Sequence, residues 1–313
     1  MTAVTEPSVS ARGAAVRRRA PAGPGSPERT PGGRGPDRDT RVKRTLYVVG
    51  GTLAALVFLV PLGIAFVRAG QPGDVIVAAP DARFFDLSWV NFQAVADQPE
   101  VWRGILNSAI VSVSTAVLTA VLATLAGYGF AKFSFRGRGM LFGLVLVTLM
   151  IPFQAILTPL YLQMNVMGLT DSLLGLVLFY TTVNLPFGIF VMRNSFAAVP
   201  AELEDSAHVD GAGTFRILTS VLRPLVIPGA ATAALYAFLA SWTEFLGALT
   251  FLTDQTLYTL PVALVNLQQG AYGQVNFGLL AAGSVIAMIP CVVLYVALQR
   301  YYVAGLASGS VKG

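Results

Sequence analysis

The chain has 313 residues, 55% hydrophobic and 12% charged, with a mean hydropathy of +0.67. Soluble domains carry about 25% charged residues, so a compact soluble enzyme is excluded. The single cysteine (Cys291) and single histidine (His208) exclude an intramolecular disulfide, a multi-thiolate metal site and a His-pair zinc motif, and they argue against a histidine-based triad.

Residues 1–44 are rich in Pro, Gly, Ala and Arg and hold almost no large apolar side chain. Such a segment cannot bury enough surface to offset its ordering entropy, so a disordered basic tail is expected. A basic arm of this kind suits nucleic acid or anionic lipid; the reading adopted is membrane lipid and no nucleic acid. It is not a cleavable signal peptide, because the charged region is too long and a full-length span follows.

About 20 apolar residues cross the hydrocarbon core as a helix. Six blocks reach that length, at about 45–67, 105–131, 140–162, 172–192, 222–250 and 277–298. The expectation is an all-α membrane protein with six transmembrane helices over residues 45–313. Basic residues set the orientation. Eighteen of the 21 fall in the N-terminal tail, after the second and fourth blocks, and at the C-terminus, which places both termini in the cytoplasm. The opposite side has Arg68, Arg83 and Arg103 in the first long loop, together with Phe84, Phe85, Trp89 and Phe92, which suit the membrane interface.

The segment from Arg193 to Pro224 is the most informative. Pro200 is suited to start a helix, with Glu202, Glu204 and Asp205 in turns where negative charge complements the helix dipole. Asp210-Gly211 supplies a stop, and Thr214 is expected to cap a second helix that carries Phe215, Ile217 and Leu218 toward the membrane. Leu203 and Ala207 at i,i+4 give the first helix a small apolar stripe. The residues alone fit either a hairpin across the cytoplasmic mouth of the bundle or an amphipathic helix resting on the membrane.

This segment resembles the cytoplasmic signature of binding-protein-dependent ABC importer permeases: Glu-Ala-Ala, three residues, Gly, nine residues, Ile, one residue, Leu-Pro. It falls on Asp205-Ser206-Ala207, Gly211, Val221 and Arg223-Pro224, and Asp210-Gly211-Ala212 matches the family's Asp-Gly-Ala. Asp205, Ser206, Val221 and Arg223 depart from the pattern. Other stretches resemble the maltose-type sugar branch. They are Asn107-Ser108, Gly127 to Arg138, Met150 to Gln154, Pro159 to Leu162, Ser241-Trp-Thr-Glu-Phe245 and Gln299 to Gly313, the last with Ala304 where Arg is usual.

The resemblance implies a type I ABC importer permease fold, a second homologous permease as partner, two ATPase subunits and an extracytoplasmic solute-binding protein. It implies a sugar or oligosaccharide as solute, with a polyol or glycerol phosphate as the alternative. Residues of about 198–216 would be the coupling helix, with Glu204, Asp205, Ser206, Ala207, Asp210, Gly211, Ala212, Arg216 and Pro224 serving ATPase coupling. Gly305, Gly309 and Lys312 would belong to a tail reaching the ATPase, or to a frayed end. The outer loop Phe251–Asn276, with Tyr258, Gln268, Gln269 and Tyr272, would face the binding protein.

The chain has no Gly-x-x-x-x-Gly-Lys-Ser/Thr loop, so no nucleotide cofactor is expected on it; ATP and Mg would be used by the partner ATPases. Catalytic residues and metal ligands are expected to be none. Glu244 is the one acid placed within a span. Intramembrane carboxylates usually face a cavity or a partner, so Glu244 and Trp242 are read either as flanking the translocation path or, preferred, as helix-capping structure near the outer surface. A secondary transporter would need more intramembrane charge, and an intramembrane enzyme would need paired acids or histidines.

Overall fold

The computed structural model describes residues 38–71, 87–267 and 276–309. The chain divides into two compact units, residues 1–56 and 57–313. Helix α1 (Arg38–Gly70) starts inside the stretch expected to be disordered. The last proline of the tail is Pro36, so nothing beyond it prevents the apolar span from extending through Asp39–Arg44. Residues 1–37 lie outside the described part of the chain.

The second unit is built around α3 (Pro99–Lys132), which follows the short α2 (Val90–Ala96) and begins on a proline that tolerates the first helical turn. After α3 come α4 (Arg138–Thr148), α5 (Phe153–Val166), α6 (Leu173–Ala197) and α7 (Ala201–Val209). The short α8 (Thr214–Arg216), one π-helical turn (Ile217–Leu222) and α9 (Arg223–Trp242) follow. Beyond them lie α10 (Leu246–Phe251), a 3₁₀ turn (Gln255–Leu257), α11 (Leu260–Leu267) and α12 (Phe277–Gly309). Among the described residues five helices, α1, α3, α6, the run through α9, and α12, are long and apolar enough to cross a membrane, and α4 with α5 makes a sixth if that bent pair is one span.

Two of the expected spans are not single rods. The block 140–162 is broken between α4 and α5, whose axes differ by 98°. Pro152 sits at the break as the N-cap of α5 in extended geometry. A proline disfavours helical backbone in the residue before it and has no N–H to give to the preceding turn. The block 222–250 starts earlier, through the π turn, and stops at Trp242 before α10 resumes. The π turn lies just before Pro224, which lacks the N–H that the Ser220 carbonyl would accept in an α-helical register.

Helix α3 packs most extensively on α6 and then on α9. Its buried residues include Ser108, Ser112, Thr115, Thr119, Ala123 and Gly127. Small side chains let membrane helices approach closely. A Cβ placed on Gly127 would lie 2.5 Å from Met192 Cβ and 2.8 Å from the Arg193 backbone nitrogen in α6. At its other end α3 is sewn to a distant loop: Asn107 Nδ2 donates to the Thr256 and Tyr258 carbonyls at 2.9 and 3.0 Å, and Ser108 Oγ accepts from Leu260 N at 2.8 Å.

Candidate functional site

The hairpin after α6 is shaped by its backbone caps. Pro200 is the N-cap of α7, and Glu202 and Glu204 lie in the first turn, where the unpaired N–H groups favour negative charge. The helix ends at Val209. Gly211 takes φ +77°, its N–H donates to His208 O at 3.0 Å, and Ala212 N donates to Ala207 O at 2.9 Å. This pair of bonds is a Schellman motif, and Ala212 packs beside Ala207 in the same apolar cluster. Ser206 turns its hydroxyl back to Glu202 O at 2.7 Å, so a serine fits where the signature has alanine.

The hairpin has two distinct faces. On the inner one, Ala207 and Ile217 join Tyr128, Phe196 and Val199 in a buried cluster. On the outer one, Asp205, His208, Asp210, Gly211 and Arg216 are exposed. Two large apolar side chains also stand out there, Val209 at 87% and Phe215 at 79% relative exposure. Neither is marked as a docking residue by the sequence motifs. The available signal is that both flank the Asp210–Gly213 turn, where an apolar residue has no core to reach.

Three sequence expectations need correction here. Gly213, not Thr214, is the N-cap of α8, and no side-chain hydroxyl caps it. Phe215 projects away from the core, whereas Ile217 is fully buried and Leu218 packs beside it. Leu203 is exposed, so the apolar stripe reduces to Ala207. Glu204, expected with Asp205 among the coupling residues, is 12% exposed and pairs with Lys132 Nζ at 2.5 Å. One residue step rotates a helical side chain by about 100°, which puts neighbouring acids on different faces. Pro224 is exposed in the first turn of α9. Gly305 and Gly309 lie within α12, and Lys312 lies outside the described residues.

At the opposite end of α9, Glu244 fills the gap before α10. Its carboxylate accepts from Gly247 N at 2.9 and 3.0 Å and from Ala248 N at 3.3 Å, and the Tyr180 hydroxyl donates to it at 2.6 Å. Trp242 donates from Nε1 to Ala287 O in α12 at 3.0 Å and stacks on Phe238. Both residues thus join helices in this structure. Cys291 is half-buried, in an apolar cleft with Trp242 and Met288. A cleft of about 500 Å³ lies at this same end, lined by Glu100, Gln255, Tyr258 and Asn266 together with Val101, Ala263 and Leu267. Beside it Asp171, with φ +52°, accepts from Thr253 N and Asp254 N at 2.9 Å each. Those bonds, Asp254 first and Thr253 second, hold its carboxyl below the usual range. Trp89 is exposed and tilts on Phe92 at 5.3 Å. Phe84, Phe85, Gln268, Gln269 and Tyr272 lie outside the described residues. Among the described residues no group of three or more His, Cys, Asp or Glu side chains is arranged to hold a metal ion.

The sequence pattern of the binding-protein-dependent transport system inner membrane component family matches residues 119–308, which include the whole hairpin. The chain belongs to this family. Among its relatives in the family is the arabinooligosaccharides transport system permease protein AraQ of Halalkalibacterium halodurans, 32% identical over 86% of this chain and 96% of that protein. Another is the trehalose transport system permease protein SugB of Mycobacterium tuberculosis, 32% identical over 85% and 94%. A third is the diacetylchitobiose uptake system permease protein DasC of Streptomyces coelicolor, 33% identical over 87% and 100%. The fold matches a chain in the crystal structure of a bacterial ABC transporter involved in the import of the acidic polysaccharide alginate. That match has a TM-score of 0.71 at 23% identity and covers 85% of this chain and 98% of the other. The chain is therefore a transporter permease subunit with the importer permease fold.

Proposed function

We propose that this permease forms one half of a heterodimeric pore in the bacterial cytoplasmic membrane, importing a sugar or oligosaccharide by ATP-driven alternating access. The hairpin carries the reading. A rigidly capped turn that exposes Val209 and Phe215 beside Asp205 and Arg216 has the apolar centre and charged rim of a docking surface. It fits a groove on an ATPase subunit. Two such subunits bind the ATP and Mg and hydrolyse the nucleotide; this chain binds no cofactor. When nucleotide closes the ATPase pair, the seated hairpins move together and rock the spans between inward- and outward-facing states.

The hairpin then lies in the cytoplasm, as do both chain termini, in keeping with the basic residues around it. In this orientation the cleft of Glu100, Gln255, Tyr258 and Asn266 lies on the outer side, and with the rest of the 251–276 stretch, which holds α11, it is the surface offered to a solute-binding protein. Carbohydrate is the solute class carried in the names of the arabinooligosaccharide, trehalose and diacetylchitobiose relatives.

The test is uptake by proteoliposomes containing the purified complex and its binding protein. Accumulation should persist when the proton gradient is collapsed and stop with vanadate, and Val209→Asp with Phe215→Asp should release the ATPase during purification. Uptake that follows the proton gradient and ignores vanadate would refute the reading.

A further inference from the structure

Helix α7 has chain connections to only two spans. It follows α6 through Ala198–Pro200, and it leads to α9 through α8 and the π turn. Helix α3, the span at the centre of the bundle, is not among its sequence neighbours. Beside the apolar cluster shared by Tyr128 and Ala207, one side chain makes a polar link across that gap. Lys132 is the last residue of α3, and its ammonium lies 2.5 Å from Glu204 Oε1 in α7. The same nitrogen donates to the Val199 carbonyl at 3.0 Å, immediately before the N-cap Pro200. One cation thus grips the hairpin at its entry and again one turn further on.

The setting makes this grip firm. Lys132 and Glu204 are 15% and 12% exposed, and the apolar cluster around Tyr128, Phe196, Val199 and Ala207 lies beside them. Exposed ion pairs contribute little because water screens them and the side chains stay mobile. A largely enclosed pair is different: removing one member strands the other charge in a poor solvent. Arg193, the neighbouring cation in α6, is placed over the Phe142 ring at 4.2 Å.

We infer that the Lys132–Glu204 pair is a transmission strut: it ties the ATPase-facing hairpin to α3, so that displacement of α7 moves the central span as well as α6 and α9. This inference rests on the importer reading above. Lys132 and Glu204 are positioning residues that touch neither nucleotide nor solute.

The experiment uses the complete complex, with its ATPases and binding protein, in proteoliposomes, and measures ATP hydrolysed per solute imported. Lys132→Met and Glu204→Gln should each assemble, keep hydrolysing ATP and raise that ratio about tenfold, within the range by which residues along a coupling network change site-to-site coupling. Lys132→Arg, which keeps a cation in reach of both Glu204 and the Val199 carbonyl, should hold the ratio to within about threefold of wild type. Glu204→Asp, which shortens the link by one methylene, should give an intermediate ratio; it decides the matter if the neutral variants fail to assemble. A wild-type ratio in Glu204→Gln or Glu204→Asp, or a Lys132→Arg variant no better than Lys132→Met, overturns the strut. Wild-type vesicles that import without ATP overturn the importer reading and the strut together, whereas an intact ATP requirement with an unchanged ratio overturns the strut alone.

Discussion

Tyr180 in α6 donates its phenolic hydrogen to Glu244 at 2.6 Å, across the break that separates α9 from α10. The same carboxylate receives two backbone N–H groups from the start of α10. The acid therefore costs little where it stands: each oxygen that would crave water is met by a donor, and the break in the span is fixed against a second helix.

Glu244→Ala removes a cap and leaves the Tyr180 hydroxyl without its acceptor, a loss expected to be about 2–4 kcal/mol. Tyr180→Phe removes only one bond of the set and should lose about 1–2 kcal/mol. Thermal unfolding of the detergent-solubilised protein ranks the two. A larger effect from Tyr180→Phe would mean that capping is not the main task of Glu244.

Gly211 holds a positive φ that valine resists, at a cost of about 1–2 kcal/mol for a side chain bearing a Cβ. Nothing lies within 4 Å of a Cβ built there, so the strain is conformational and not steric crowding. Gly211→Val should insert normally and abolish transport, while Gly211→Asn, which tolerates the left-handed region, should retain about half of wild-type uptake. Full uptake in Gly211→Val would show that the turn geometry is dispensable.

Asp171 is a pH-dependent latch between the loop before α6 and the loop after α10. Its folded pKa is below the unfolded value, so its contribution is complete above the unfolded value of about 4 and is lost as pH falls through the folded one. Amide exchange at Thr253 and Asp254 should be slowed at neutral pH in wild type and faster in Asp171→Asn. The two should converge in strong acid. Equal exchange at neutral pH would remove the carboxylate's role.

Gly127 and Gly129 form a matched pair of tests. The first faces the α6 backbone; a Cβ added to the second would meet nothing within 4 Å. Gly127→Leu should destabilise by about 1–3 kcal/mol through forced separation of α3 and α6, and Gly129→Leu should not. Folded yield after detergent extraction reports both, and equal yields would place the helix crossing elsewhere.

The spans are legible in the sequence because lipid demands long uninterrupted apolar runs, and that pattern survives in one dimension. Breaks within a span are not, since Pro152 bends the chain while Pro186 and Pro228 are carried inside α6 and α9; the difference depends on which neighbours re-satisfy the freed backbone groups. In the hairpin, Pro200 and Gly211 mark the ends of α7 because their constraints are local. That Glu204 is enclosed while Asp205 is exposed is hidden. It depends on Lys132, 72 residues away from Glu204 (204 minus 132), which as a basic residue at the end of a span reads simply as a topology signal. Phe215 misleads for a related reason: an apolar residue at a helix start suggests the core, when the turn aims it outward.

Asn107 and Ser108 raise a question of timing. Their partners are carbonyl and amide groups of the Thr256–Leu260 stretch, 149 to 152 residues further along the polypeptide. At a synthesis rate of about 5–20 residues per second, α3 is made on the order of ten seconds before that stretch leaves the ribosome. During the interval an amide and a hydroxyl near one end of a newborn helix must borrow hydrogen bonds from headgroup water. Biogenesis is therefore tied to depth: the helix cannot settle until the later loop arrives to relieve the solvent of that duty.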